Sequence, residues 1–147
     1  MVDTETWILR ASLSAKIYRD IEIDGASNLY VLAEAITRSF DFDFDHAFGF
    51  YNKVKGNIYD SAVSYQLFVD MGERDGKARS VKRTRVAEVF PAVGTKMRFL
   101  FDYGDEWIFL VELVKRKPKE PKIGLPRLLI STGKAPEQYP DPEDDEG

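Results

Sequence analysis

The chain has no cysteine. That excludes disulfides, thiolate nucleophiles and Cys-ligated zinc or iron–sulfur centres. A single histidine, His46, stands in the whole sequence, so a zinc site of several imidazoles is excluded as well. No Gly-x-Ser-x-Gly elbow is present to build a Ser-His-Asp triad around it. No apolar run reaches the roughly 18 residues of a membrane-spanning helix. Met1 to Thr6 is polar and acidic, without a secretory pattern. Gly72 to Gly76 and Gly124-Leu125-Pro126 lack the Gly-Lys-Ser/Thr ending and following helix of a phosphate loop. There is no internal repeat, and the net charge of −4 gives no global attraction to nucleic acid. These absences lead us to expect a small, soluble, cytoplasmic protein without a cofactor, a disulfide or a membrane anchor.

What is present is apolar and aromatic. Of the 147 residues, 44% are hydrophobic and 13% aromatic. A chain this long suits one domain and can bury about 70% of its unfolded surface. The densest stretch is Met97 to Leu113. Met97, Phe99, Phe101 and Tyr103 alternate with Arg98, Leu100 and Asp102; Trp107, Phe109, Val111 and Leu113 then alternate with Ile108, Leu110 and Glu112. Period two marks strands. Gly104-Asp105 between them predicts a tight hairpin turn. The second arm is apolar on both faces and should lie centrally. Trp107→Ala is expected to be among the most destabilising single changes.

Elsewhere, Trp7–Ser14 and Ile17–Ile23 alternate and are joined closely enough to pair. Leu29, Leu32, Ala33, Ile36 and Phe40 form one helical stripe, predicting a helix at about 28–40 with Ser27 or Asn28 as N-cap. A strand is expected at His46–Tyr51, another within Ile58–Asp70, a mobile loop at Gly72–Arg85, and a short helical turn near 84–90 stopped by Pro91. Leu125–Ile130 is expected to add a last edge segment. The fold class is therefore α+β: a twisted, antiparallel, aromatic-rich sheet with one main helix. The domain should occupy 1–136, with a basic, proline-broken linker at about 115–124. From Glu137 to Gly147 the chain is acidic and proline-rich, and disorder is expected.

Three stretches carry a resemblance. Lys16-Ile17-Tyr18-Arg19-Asp20-Ile21 resembles a Pro-Ile-Trp-Arg-Arg-Ile strand. Leu29, Leu32, Phe40 and His46 fit a Thr-Leu-x-x-Leu-His helix running to Phe-Gly-Trp and a histidine, although Ala33 replaces the helix histidine and Asp41-Phe42 replaces Gly-Trp. Phe101-Asp102-Tyr103-Gly104-Asp105-Glu106-Trp107 is similar to Tyr-Asp-Phe-Gly-Asp-x-Trp. Together they resemble the plasmid pRiA4b ORF-3-like family over roughly residues 7–114. That family's Gly-, Cys- and Pro-rich C-terminal segment is echoed only by Pro126-Arg127 and Gly133 to Glu137, without its cysteines. The resemblance implies an α+β domain of bacteria, archaea and mobile elements, some of whose relatives accompany transposases. It implies no established activity, and a fold alone would not supply one.

Two sets of residues are candidates for chemistry. Asp102, Asp105 and Glu106 gather at the hairpin turn, and Asp43, Asp45 and His46 follow the helix. If the two loops meet, Asp102, Asp105, Glu106 and His46 are the candidate catalytic residues of a divalent-metal-dependent hydrolase. Asp43, Asp45, Asp102 and Asp105 are then the candidate oxygen ligands. Otherwise they are turn and solvated-loop residues. Asp41-x-Asp43-x-Asp45 is not an EF-hand, because its sixth residue is His46 and its twelfth Asn52. The second set is basic: Arg79, Lys82, Arg83 and Arg85, beside Arg74 and Lys77, and then Lys115, Arg116 and Lys117, beside Lys119 and Lys122. They could attract phosphates if brought together, but neither run is interleaved with aromatics for base stacking. The expected function is a non-enzymatic binding or accessory module of a mobile element, acting with a protein or nucleic-acid partner. The hydrolase is the alternative.

Overall fold

The computed structural model describes residues 5–73 and 76–140. Arg74 and the tail beyond Pro140 lie outside the described residues. The strands are β1 (Glu5–Ser14), β2 (Ile17–Asp24), β3 (Phe48–Tyr51), β4 (Ser64–Gln66), β5 (Arg79–Ser80), β6 (Lys96–Phe101), β7 (Trp107–Pro118) and β8 (Arg127–Thr132). They form one eight-stranded sheet in the order β5-β4-β3-β6-β7-β1-β2-β8. All neighbours are antiparallel except β4 and β5. The main helix, α1, spans Leu29–Ser39; α2 (Leu67–Asp70) and α3 (Val86–Val89) are single turns.

Helix α1 begins where the sequence expected. The Asn28 Oδ1 accepts from the Val31 amide at 2.9 Å, satisfying one of the amides that no helical carbonyl can reach. Leu29, Leu32, Ala33 and Ile36 are fully buried against the sheet. Beyond Phe40 the backbone turns left-handed at Asp41, which ends the helix. Below α1 the inward residues of adjacent strands stack: Phe50 on Phe99 at 4.8 Å, Phe99 near Phe109 at 5.7 Å, and Phe109 on Phe40 at 4.9 Å. Each such burial contributes roughly 1.5–3 kcal/mol, an upper estimate against an extended chain.

The structure corrects four local expectations. Between β6 and β7 there is a five-residue connection, not a two-residue turn. Its left-handed residues are Asp102 and Glu106, at φ 68° and 51°, while Gly104 is not left-handed. That excursion carries Tyr103 off the core face. It joins Tyr51, Ile58, Leu100 and Ile108 on the opposite side of the sheet. Ile58–Asp70 holds only three strand residues, flanked by a 3-10 turn at Ile58–Asp60 and by α2. The basic linker is shorter than expected, because Lys115–Pro118 complete β7 and pair with Glu5–Ile8.

Candidate functional site

The two acidic loops do meet, at the end of β6. As the chain leaves Phe101, the Asp102 amide donates to the Ala47 carbonyl at 2.9 Å. The Asp102 Oδ1 accepts from the amides of Gly104 and Asp105 at 3.0 and 3.2 Å. A side-chain carboxylate thus closes the turn, a frequent use of Asp. Its other oxygen, Oδ2, lies 3.5 Å from Nε2 of His46. On the far side of the imidazole, Nδ1 is 2.7 Å from Asp45 Oδ1. His46 sits in the loop before β3, not in the strand, and its ring meets Phe101 edge-on at 6.0 Å.

A third segment completes the cluster. The Tyr139 hydroxyl donates to Asp45 Oδ2 at 3.0 Å and lies 3.0 Å from His46 Nδ1. Next to it, Gln138 is buried; its Oε1 accepts from the Asp43 amide at 2.7 Å and its Nε2 donates to the Asp43 carbonyl at 3.1 Å. The four described residues of the expected tail, 137–140, therefore begin as packed chain. Composition gave little warning: the one signal was a lone Gln-Tyr pair in a proline-rich acidic run.

The electrostatics follow from this geometry. Hydrogen bonding to Asp45 raises the His46 pKa; burial opposes this, and the charges of Asp102, Asp45 and Asp105 add to the rise. Burial pushes Asp45 up, but hydrogen bonds from His46 and Tyr139 outweigh it and hold its carboxyl below the usual range. Burial and the bond to Asp45 push Tyr139 up to about 12. The raised pKa extends upward the pH range over which the imidazole is charged and can donate from both nitrogens toward the two carboxylates.

Other candidates lie elsewhere. Glu106 points to the opposite face and accepts from the Tyr59 hydroxyl at 2.8 Å. Asp43 enters the cluster only through its backbone. Among the described residues no group of three or more His, Asp or Glu is arranged to hold a metal ion. A cavity of about 380 Å³ beside the cluster is walled by Phe40, Asp41, Asp43 and residues 135–139, and His46, Asp102 and Asp105 are not among its walls.

The basic residues remain in two groups. Arg116 is paired with Glu5 at 2.9 Å and lies over the Trp7 ring at 4.4 Å. Lys117 reaches Glu120 at 3.1 Å and the buried Glu22 at 3.7 Å. Lys115 is exposed on the same strand end. In the other group, Lys77, Arg79, Lys82, Arg83 and Arg85 are all exposed. Lys82 lies over the Tyr30 ring at 4.9 Å and Arg79 near that of Tyr65 at 5.9 Å. The segment carrying them is anchored: Asp70 accepts from Ser80 Oγ at 2.6 Å and from the Val81 amide at 2.9 Å.

The family model described as "Plasmid pRiA4b ORF-3-like protein" matches residues 8–144. The chain belongs to the plasmid pRiA4b ORF-3-like family. Among solved structures it is similar to a Methanosarcina mazei Go1 protein of unknown function, MM3350. The two are 19% identical, with a TM-score of 0.69 over 87% of this chain and 70% of that one. At that identity the likeness is one of fold. No curated protein matches the chain.

The positions that carried the family resemblance have visible structural work. Arg19 is buried, and its guanidinium donates to the carbonyls of Tyr18, Ser39 and Thr132 at 2.9, 2.9 and 2.8 Å while lying over the Phe40 ring. It joins β2, the end of α1 and the end of β8. Asp102, Gly104 and Asp105 build the turn. Among the described residues no helix is long and apolar enough to cross a membrane.

Proposed function

We propose that this member of the pRiA4b ORF-3-like family is a non-enzymatic, cytoplasmic binding module, an accessory protein of a mobile element. It engages an anionic partner, nucleic acid in the first instance, through the segment Lys77–Arg85. One observation carries the reading. Of the cations at the end of β7, Arg116 and Lys117 are drawn into internal pairs with Glu5, Glu22 and Glu120, while Lys115 stays exposed. Lys77, Arg79, Lys82, Arg83 and Arg85 have no carboxylate paired to their side chains among the described residues and stay exposed on one anchored segment. Tyr30 beneath Lys82 adds an aromatic that the basic run itself lacks.

The test is fluorescence anisotropy of labelled single- and double-stranded DNA and RNA at low and moderate salt, with wild type and with Arg79→Glu/Lys82→Glu/Arg83→Glu. Counterion release makes affinity fall steeply with salt. The triple variant is expected to lose binding at an unchanged melting temperature. Flat or absent binding at low salt sinks the nucleic-acid reading.

The metal-dependent hydrolase is less supported. Asp102 is occupied in closing its turn, Glu106 faces away, and the cavity beside the cluster is walled by none of His46, Asp102 and Asp105. Melting curves with Mn²⁺, Mg²⁺ and Ca²⁺ check it, because an ion that binds only folded protein must raise the melting temperature. A rise abolished by Asp105→Asn would revive the hydrolase.

A further inference from the structure

The two edges of the sheet are unlike. At one end β5 is two residues long and carries Arg79. At the other, β8 runs six residues and, among the described residues, pairs only with β2. Short, charged edges resist pairing, whereas a long apolar edge invites another strand. In β8 the residues Leu128, Leu129 and Ile130 are 48%, 39% and 46% exposed, three consecutive large apolar side chains. No charge interrupts the chain between Arg127 and Lys134. Beside this edge a groove of about 430 Å³ opens between β8 and α1, walled by Ile21, Val31, Ala35, Pro126 and Leu128, with Glu34 and Arg38 among its lining.

We infer that β8 and the exposed flank of α1 form a two-fold interface with a second copy of this chain, the two β8 strands pairing antiparallel. Self-complementarity is the argument for that occupant. A two-fold axis perpendicular to a continuous sheet leaves both α1 helices on the same face, running antiparallel. α1 packs over β2 and β8. Continuing the sheet at about 4.8 Å per strand sets the two helix axes about 10 Å apart, which is the distance of packed helices. Val31 and Ala35, one helical turn apart, are small enough for that approach. Glu34 and Arg38, at i and i+4, already pair at 3.2 Å, with side chains 42% and 62% exposed. Across the axis Glu34 of one copy meets Arg38 of the other, twice by symmetry, as an isologous contact requires. This surface is separate from Lys77–Arg85, so the inference stands or falls independently of nucleic-acid binding.

Sedimentation velocity of the full chain, from nanomolar to high micromolar, tests it. Wild type is expected to show a reversible monomer–dimer equilibrium. Leu128→Lys/Ile130→Lys, changing exposed positions only, should be monomeric with an unchanged circular dichroism spectrum. Arg38→Glu should weaken the dimer about tenfold or more, since it sets like charges across the axis. Glu34→Arg/Arg38→Glu should recover it to within a few-fold. The charge pair keeps the inference testable if the strand variant fails to fold. A wild type that stays monomeric throughout overturns it, whatever else covers β8. So does a dimer indifferent to the strand variant, and so does one indifferent to Arg38→Glu, because the antiparallel pairing brings the helices together.

Discussion

The two faces of the sheet solve the same problem differently. Toward α1, burial is mainly apolar: Phe99, Phe101 and Phe109 are fully enclosed, with the Arg19 guanidinium over the Phe40 ring as the charged exception. On the opposite face of β1 and β2, two carboxylates are enclosed instead. Asp20 is 4% exposed and holds the Arg10 guanidinium through two hydrogen bonds, at 2.7 and 3.0 Å. Glu22, 1% exposed, accepts from Thr6 at 2.7 Å and Arg127 at 2.8 Å. The apolar face tolerates any good fit. The charged face is stable only while each carboxylate keeps its donors, because a buried charge without partners is costly.

Substitutions separate the two regimes. Phe109→Ala should have the largest effect, a loss of about 3–5 kcal/mol in urea-unfolding stability, since it leaves a cavity among rings. Trp107→Ala should cost less, about 2–3 kcal/mol. Trp107 is only half-buried, and its indole nitrogen is enclosed without a partner. It thus ranks below the fully buried phenylalanines, not among the worst changes. Arg127→Ala should cost about 2 kcal/mol: Glu22 loses one donor but keeps Thr6 and Lys117.

pH sharpens the contrast further. Burial pushes Glu22 up, yet its bonds to Thr6 and Arg127 and the charge of Lys117 hold its pKa below the ordinary 4.5. A depressed carboxyl binds fewer protons folded than unfolded. Its stabilisation is therefore present above pH 4.5 and lost as pH falls through the lowered value. Glu22→Gln should flatten that acid limb, as read from urea midpoints against pH. His46 behaves oppositely. Its pKa is raised above 6.5, chiefly by Asp45, so its contribution is complete below 6.5 and fades as pH rises through the folded value. His46→Asn should remove this slope and also soften the acid limb slightly, because Asp45 loses the hydrogen bond from His46 that helps hold its carboxyl low.

The core face was legible in the sequence because alternation at period two and the α1 stripe both report burial directly. Trp7–Ser14, Ile17–Ile23 and the helix all fell within a few residues of their observed limits. The candidate site was legible only in part. His46, Asp45 and Asp102 were named, but Tyr139 was hidden because composition describes a segment's solubility, not what it meets. The Asp102 turn was misread because Gly104 drew the positive φ expected of a glycine, whereas Asp102 can take that conformation by bonding its own loop amides. Leu67 and Val69 alternate with Tyr65, yet the chain coils there because Asp70 is captured by Ser80 and Val81. Lys115–Pro118 reads as a linker by charge, although its backbone completes a ladder with Glu5–Ile8.

The strand order has a consequence for how the protein is made. β1 is synthesised first, yet one of its neighbours, β7, pairs with it across a separation such as Leu9 to Leu113, and β2 waits for β8 at Tyr18 to Thr132. A ribosome must therefore deliver nearly the whole chain before the opening hairpin is flanked on both sides. Such distant pairings make folding slow, and they leave the nascent hairpin's apolar face open until the end. Premature termination within β7 or before β8 should yield an insoluble fragment, because β1 or β2 is then left without its second neighbour.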